Sequence, residues 1–167
     1  QGYYFSKPTI LSSKEVPPYK FNSIELIKLV NQDEPDFKKI AKVIEKDVSL
    51  SFSLLKLINS LAFYRGNRIK SVLQATTMLG INELKKWVSL VAIRKICEDQ
   101  PDELMKMSIV RAKFCEMAAI KMGFQNRETE LFLMGLFSLI DTLMNRPLNE
   151  IISDLPLSED VKAALLY

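Results

Sequence analysis

From residue 21 onward, apolar residues recur at three- and four-residue intervals, the period of helices with one buried face. Asn22, three places before Glu25, has capping-box spacing and opens a helix over Ile24–Val30. Pro35 lies near the start of the next helix, where Phe37, Ile40, Ala41 and Ile44 form a stripe. Leu50, Leu54, Leu57, Ile58 and Leu61 form another, and Phe63–Lys70, broken by Gly66, reads as a loop. Ser71 caps a short helix carrying Val72, Ala75 and Leu79, and Gly80 ends it. Asn82 opens a helix whose Trp87–Ile93 stretch is apolar almost all round, as a central core helix is. Pro101 starts a long helix that ends at Gly123, with Met107, Val110, Phe114, Met117 and Ala118 predicted to face inward. Asn126 leads a still more apolar helix through Leu131, Phe132, Leu136, Phe137, Ile140 and Leu143, which Pro147 stops. Two shorter helices follow, the second capped by Ser158 with Glu159 and Asp160 in its first turn. No segment alternates like a strand and no fixed-period repeat is visible, so the pattern predicts an all-α globule.

The first twenty residues have a different texture. Tyr3-Tyr4-Phe5 is a short aromatic run of strand type closed by Pro8, and Pro17-Pro18 forces an extended segment. Residues 1–20 therefore read as an appended non-helical segment plus linker, and residues 21–167 as the helical domain. The start at Gln1-Gly2-Tyr3 reads as that of a chain cut from something larger.

Composition narrows the chemistry. With 167 residues the chain suits one domain, and with no histidine it has no His-ligated metal site, no Ser–His or Cys–His pair and no imidazole shuttle. Lys+Arg 23 against Asp+Glu 20 leaves a net charge of +3, too little to point to nucleic acid. Cys97 and Cys115 lack metal-ligand spacing and read as buried reduced thiols of a cytoplasmic protein. The longest apolar run, Leu131 to Ile140, is short of the roughly 18 residues of a membrane span, so no membrane partner is expected.

Few motifs rise above this background. Ser53-Leu54-Leu55-Lys56 matches S-x-x-K, but it lies in a core stripe and lacks the partner motifs of serine acyl-enzymes. Glu98, Asp99, Asp102 and Glu103 crowd a helix junction without the spacing of a calcium loop, and read as a solvated junction. Tyr64, Arg65, Arg68 and Lys70 place rings beside cations, a candidate ligand or partner loop, although P-loop spacing is absent. Asp141 follows a long apolar run and must reach a surface, a helix end or a partner.

Three segments, in order, resemble the HDOD family (HD-related output domain). They are Val43–Ser60 with Asp47-Val48-Ser49-Leu50 and Asn59-Ser60, Ile69–Leu90 with Ser71, Ala75 and Leu79-Gly80, and Gly135-Leu136-Phe137-Ser138-Leu139-Ile140-Asp141. The last falls where HD-fold phosphohydrolases carry G-L-L-H-D-I-G. The resemblance implies an HD-like multi-helix bundle whose His-Asp pair is replaced by Ser138-Leu139, with Asp141 two positions too late to substitute. Ser108 falls where an earlier histidine belongs. Ser108, Ser138, Leu139 and Asp141 thus mark a vestigial site without cofactor, since a hydroxyl and an isobutyl group cannot grip a divalent metal. Gln1, Gly2, Tyr3 and Pro8 resemble the Q-G-Y-x-x-x-x-P segment that closes the EAL phosphodiesterase fold of cyclic di-GMP signalling. That likeness implies an upstream EAL-like domain and a cytoplasmic signalling protein.

Three functional expectations follow in order. The first is a non-enzymatic regulatory module acting through its neighbouring domain or an unidentified signalling protein, with self-association left open. The second is a sensor binding a nucleotide or small phosphate in a pocket lined by Ser108, Ser138 and Asp141. The third is a residual hydrolase working with carboxylates and a metal.

Overall fold

The computed structural model describes residues 25–60, 68–155 and 157–166, apart from Cys97 and Asp99. Its helices are α1 (25–30), α2 (Phe37–Glu45), α3 (Val48–Ile58), α4 (Val72–Leu79), α5 (Ile81–Ile96) and α6 (Asp102–Lys121). They continue as α7 (Glu128–Phe137), α8 (Ile140–Met144), α9 (Leu148–Ile151) and α10 (Glu159–Leu166), with single 3₁₀ turns at Gln125–Arg127 and Ile152–Asp154. There is no strand among the described residues, so the all-α expectation holds. The segment 1–20, Asn22 of the expected capping box and Leu61 lie outside the described residues.

Local chemistry accounts for most boundaries. Asp36 caps α2 by accepting from the Lys38 and Lys39 amides at 2.9 and 3.2 Å, and Asp47 caps α3 from the Ser49 and Leu50 amides at 2.9 and 3.1 Å. Ser71 caps α4 as predicted, and Gly80 ends it at φ 77°, a conformation that favours glycine. Gly123, at φ 83°, closes α6 in a Schellman arrangement, the Phe124 amide reaching the Ala119 carbonyl at 2.8 Å. Asn82 does not open α5; it stands inside its first turn.

The apolar faces gather into two cores. The first joins α1–α4 to one face of α5 through Ile40, Ile44, Leu54, Ile58, Leu84 and Val88. The second joins Ile93 to α6–α10 through Ala112, Phe132, Leu136, Phe137, Ile140 and Leu143. Helix α5 therefore lies between the cores with one face turned to each, Leu84, Val88 and Val91 to the first and Leu90 and Ile93 to the second, which explains its nearly continuous apolar stretch.

Two sequence expectations are corrected here. The inward face of α6 is not the Met/Phe stripe: Met107, Val110, Phe114 and Met117 are 48–71 % exposed, and Ala118 is only half-buried. Ser108, Ala112, Glu116 and Ala119 point inward instead. The reason is the closeness of α6 to α7, since a Cβ on Gly135 would lie 2.5 Å from the Arg111 carbonyl oxygen and 2.7 Å from Ala112 Cα. Only small side chains fit between backbones that near, so the large ones turn outward. The second correction concerns the apolar helix expected to run unbroken to Pro147. It stops at Phe137 and restarts at Ile140. The Ser138 hydroxyl donates to the Gly135 carbonyl at 2.8 Å, competing for a backbone acceptor at the helix end.

Candidate functional site

The break between α7 and α8 is where the sequence places its vestigial site. Ser138 caps α7, half-buried, and its oxygen also accepts from Arg111 Nη1 at 3.2 Å. Arg111 lies on α6 and makes no ion pair with a carboxylate among the described residues. Leu139 packs on the second core. Asp141 is half-buried in the first turn of α8; its carboxylate accepts from the Thr142 hydroxyl at 3.4 Å and its carbonyl from the Arg146 amide at 3.0 Å. Ser108 is wholly buried on α6, and its hydroxyl has no hydrogen-bond partner.

An open cleft of about 420 Å³ adjoins Ser138. Val110, Arg111 and Phe114 of α6, Met134 of α7 and Leu165 of α10 line it, with Cys115 at its wall. The cleft therefore has apolar sides and a guanidinium next to a hydroxyl. Ser108 and Asp141 lie outside its lining, so the structure does not gather the three expected residues around one cavity. Cys115 is a free thiol, half-buried rather than buried, and burial pushes its pKa up, away from reactive thiolate character.

The other candidates separate. Tyr64 and Arg65 lie outside the described residues, as do Gln1, Gly2, Tyr3 and Pro8. Arg68 and Lys70 are exposed on either side of buried Ile69, whose amide and carbonyl are both held by the Asn59 side chain at 2.9 Å. That clamp fixes the end of the loop, and nothing in the loop's own sequence announced it. Ser53 and Lys56 are exposed on α3 beside buried Leu54. Glu98, Asp102 and Glu103 are exposed, and no three His, Cys, Asp or Glu residues among those described converge on a point where a metal ion would fit.

Sequence reasoning missed the most buried charges. Lys86 of α5 and Glu116 of α6 are each about nine-tenths buried and bonded to one another. Lys86 also donates to Glu83 at 2.8 Å and lies 5.7 Å from the Phe132 ring centroid, while Lys113 engages the other Glu116 oxygen. Burial by itself raises the Glu116 carboxyl, but the Lys113 and Lys86 ammonium groups outweigh it and hold its pKa below the usual range. Burial likewise opposes the Lys86 charge, and the Glu116 and Glu83 carboxylates overcome it, leaving the pKa raised. The available signal was Lys86 occurring in an otherwise apolar helix face. Lys95 at the far end of α5 bonds Asp47, the α3 cap, so α5 is tied by charge to both cores.

Against this geometry, the family model for the HDOD domain matches residues 16–151. A Bacillus subtilis (strain 168) protein named uncharacterized protein YuxH is 36 % identical over 169 residues, covering 99 % of this chain and 41 % of the relative. The cyclic di-GMP phosphodiesterase CdgJ of Vibrio cholerae serotype O1 (strain ATCC 39315 / El Tor Inaba N16961) is 34 % identical over 165 residues, covering 99 % of this chain and 38 % of that protein. The chain thus spans about two fifths of the length of these relatives. No solved structure matches it. Among the described residues no helix is long and apolar enough to cross a membrane.

Proposed function

The chain belongs to the HDOD family, and from that premise we propose that it is a non-catalytic regulatory module of cyclic di-GMP signalling that works through contacts with a neighbouring EAL-like domain or a partner protein. The observation that carries this reading is the Arg111 guanidinium on Ser138, beside Leu139, at the positions where the resemblance puts a His-Asp metal pair. A fixed positive charge there opposes a divalent cation, and neither side chain offers it a ligand of useful strength. The exposed apolar face of α6 supports the contact role, since faces of this kind on soluble domains mark interaction sites. The signalling context rests on CdgJ, whose name gives that relative's activity.

The test is turnover. Purified chain incubated with cyclic di-GMP or simple phosphate esters, plus Mg²⁺ or Mn²⁺, is expected to release no product. Hydrolysis that disappears in Asp141→Asn would overturn the reading and restore a carboxylate-dependent hydrolase.

A second reading has its own observation, the cleft that sets Arg111 and Ser138 against apolar walls. A nucleotide or other small phosphate would place its anion on the guanidinium. Thermal-shift screening separates the readings, because ligand at 100 times its dissociation constant adds about 2.7 kcal/mol. A shift that Arg111→Ala abolishes favours the sensor.

A further inference from the structure

Helix α6 carries an ordered pattern on its outward side. Glu103, Met107, Val110, Phe114, Met117 and Lys121 follow one another at intervals of four, three, four, three and four residues, the a/d spacing of a coiled-coil seam. All six are exposed, Val110 and Phe114 to 68 % and 71 %. The seam lies opposite the small residues that face α7; Val110 and Phe114 edge the open cleft beside α10 and still leave most of their surface exposed.

The series of intervals reads the same from either end, and its residue types are complementary under reversal. We propose that two copies of this chain pair through α6, antiparallel, about a two-fold axis level with Ala112. In that register Met107 meets the second copy's Met117, and Val110 meets the second copy's Phe114. Glu103 meets the second copy's Lys121, giving one opposite-charge pair at each end. A seam position of one copy then faces its complementary type in the other, the layering antiparallel helices require and the self-complementarity an isologous interface needs. Glu103 has only a long 3.6 Å contact with Lys106 on its own helix, and Lys121 makes no ion pair among the described residues. The cations nearest the axis are occupied on their own copy: Lys113 with Glu116 and Arg111 with Ser138. Ile109 and Ile120, 41 % and 45 % exposed, flank the seam and extend the apolar surface available to the pair.

The pairing deepens the contact role proposed above by naming a second copy as the occupant, and it is independent of whether the chain turns over a substrate. A monomeric chain without turnover would sink the pairing and leave the non-catalytic reading intact. Sedimentation equilibrium or light scattering on the full 167-residue chain tests it. The expected result is a concentration-dependent species of twice the 19.1 kDa chain mass. Phe114→Glu, at a position 71 % exposed, should abolish that species while leaving the helical circular dichroism unchanged. Lys121→Glu should weaken association by about tenfold, because it sets two acids against each other at both ends. Combining it with Glu103→Lys should restore association, since the pairs re-form with their signs exchanged. A monomer at every concentration up to about 0.2 mM, about two hundredfold above a micromolar dissociation constant, overturns the proposal. So does association that Lys121→Glu leaves unaltered, or that the double reversal fails to restore, because another surface or register would then be responsible.

Discussion

Lys86 and Glu116 show what one buried contact costs to disturb. Replacing Lys86 by Met leaves Glu116 nine-tenths buried with Lys113 as its remaining cation. Loss of one partner of a buried pair is expected to cost about 3 kcal/mol, read as a fall in the urea midpoint. Lys86→Met combined with Glu116→Leu should recover most of that loss, since an apolar pair of similar volume escapes the desolvation penalty. The same contacts set an acid limit. Glu116, Asp47, Glu130 and Asp160 all have pKa values held below the ordinary range; for Glu116, Asp47 and Glu130 burial acts in the opposite direction, and the bonds they accept prevail. For exposed Asp160 the Arg127 and Ser158 bonds bring the pKa to about 2. The unfolded chain takes up these protons near 4.5 for Glu and 3.8 for Asp, before the folded protein does. Their stabilisation is therefore complete above that range and lost as pH falls through the folded values. Chemical unfolding from about pH 6 to pH 3 should show stability dropping below about pH 4.5, with a shallower drop in Glu116→Gln.

At the scale of elements, the junction of α6 with α7 governs the most. Gly135→Ala would press a methyl group against the Arg111 carbonyl and Ala112 Cα, both backbone atoms that cannot swing aside. A loss of about 2 kcal/mol is expected, a fall in Tm of roughly 4–8 °C by calorimetry. The same junction marks the limit of what periodicity can tell. Local signals sufficed for α2, α3 and α4, where Ile40 and Ile44, Leu50 and Leu54, and Ala75 and Leu79 are buried as their spacing indicates. Those helices have one apolar face and a cap nearby. Helix α6 has two candidate faces, one of large apolar residues and one of small residues with a glutamate, and ranking by size selects the wrong one. The choice was made by Gly135, more than twenty residues away in sequence, and by Lys86, which neutralises Glu116 from another helix. The break at Ser138-Leu139 was equally hidden, because a serine back-bonding to Gly135 is invisible in a run of apolar letters.

On the scale of the whole molecule, two cores share α5, and its ends are fastened by Lys86 to Glu116 and by Lys95 to Asp47. The family resemblance was legible because its motifs fall on the caps and core positions that build this arrangement: Asp47 caps α3, Ser71 caps α4, and Asn59 clamps Ile69. Of the proposed site, the sequence names Ser138 and Leu139 but not the charge beside them. Ser138 and Leu139 stand at the α7–α8 break, yet Arg111, the residue that defines the charge there, came from a helix whose orientation the sequence misassigned. The central claim is that this charge, with the ligands replaced, leaves no seat for a divalent cation. Titration calorimetry of the purified chain with Mn²⁺ tests it most directly. The account predicts no saturable heat at micromolar to millimolar metal, whereas one-to-one binding that Asp141→Asn removes would contradict it.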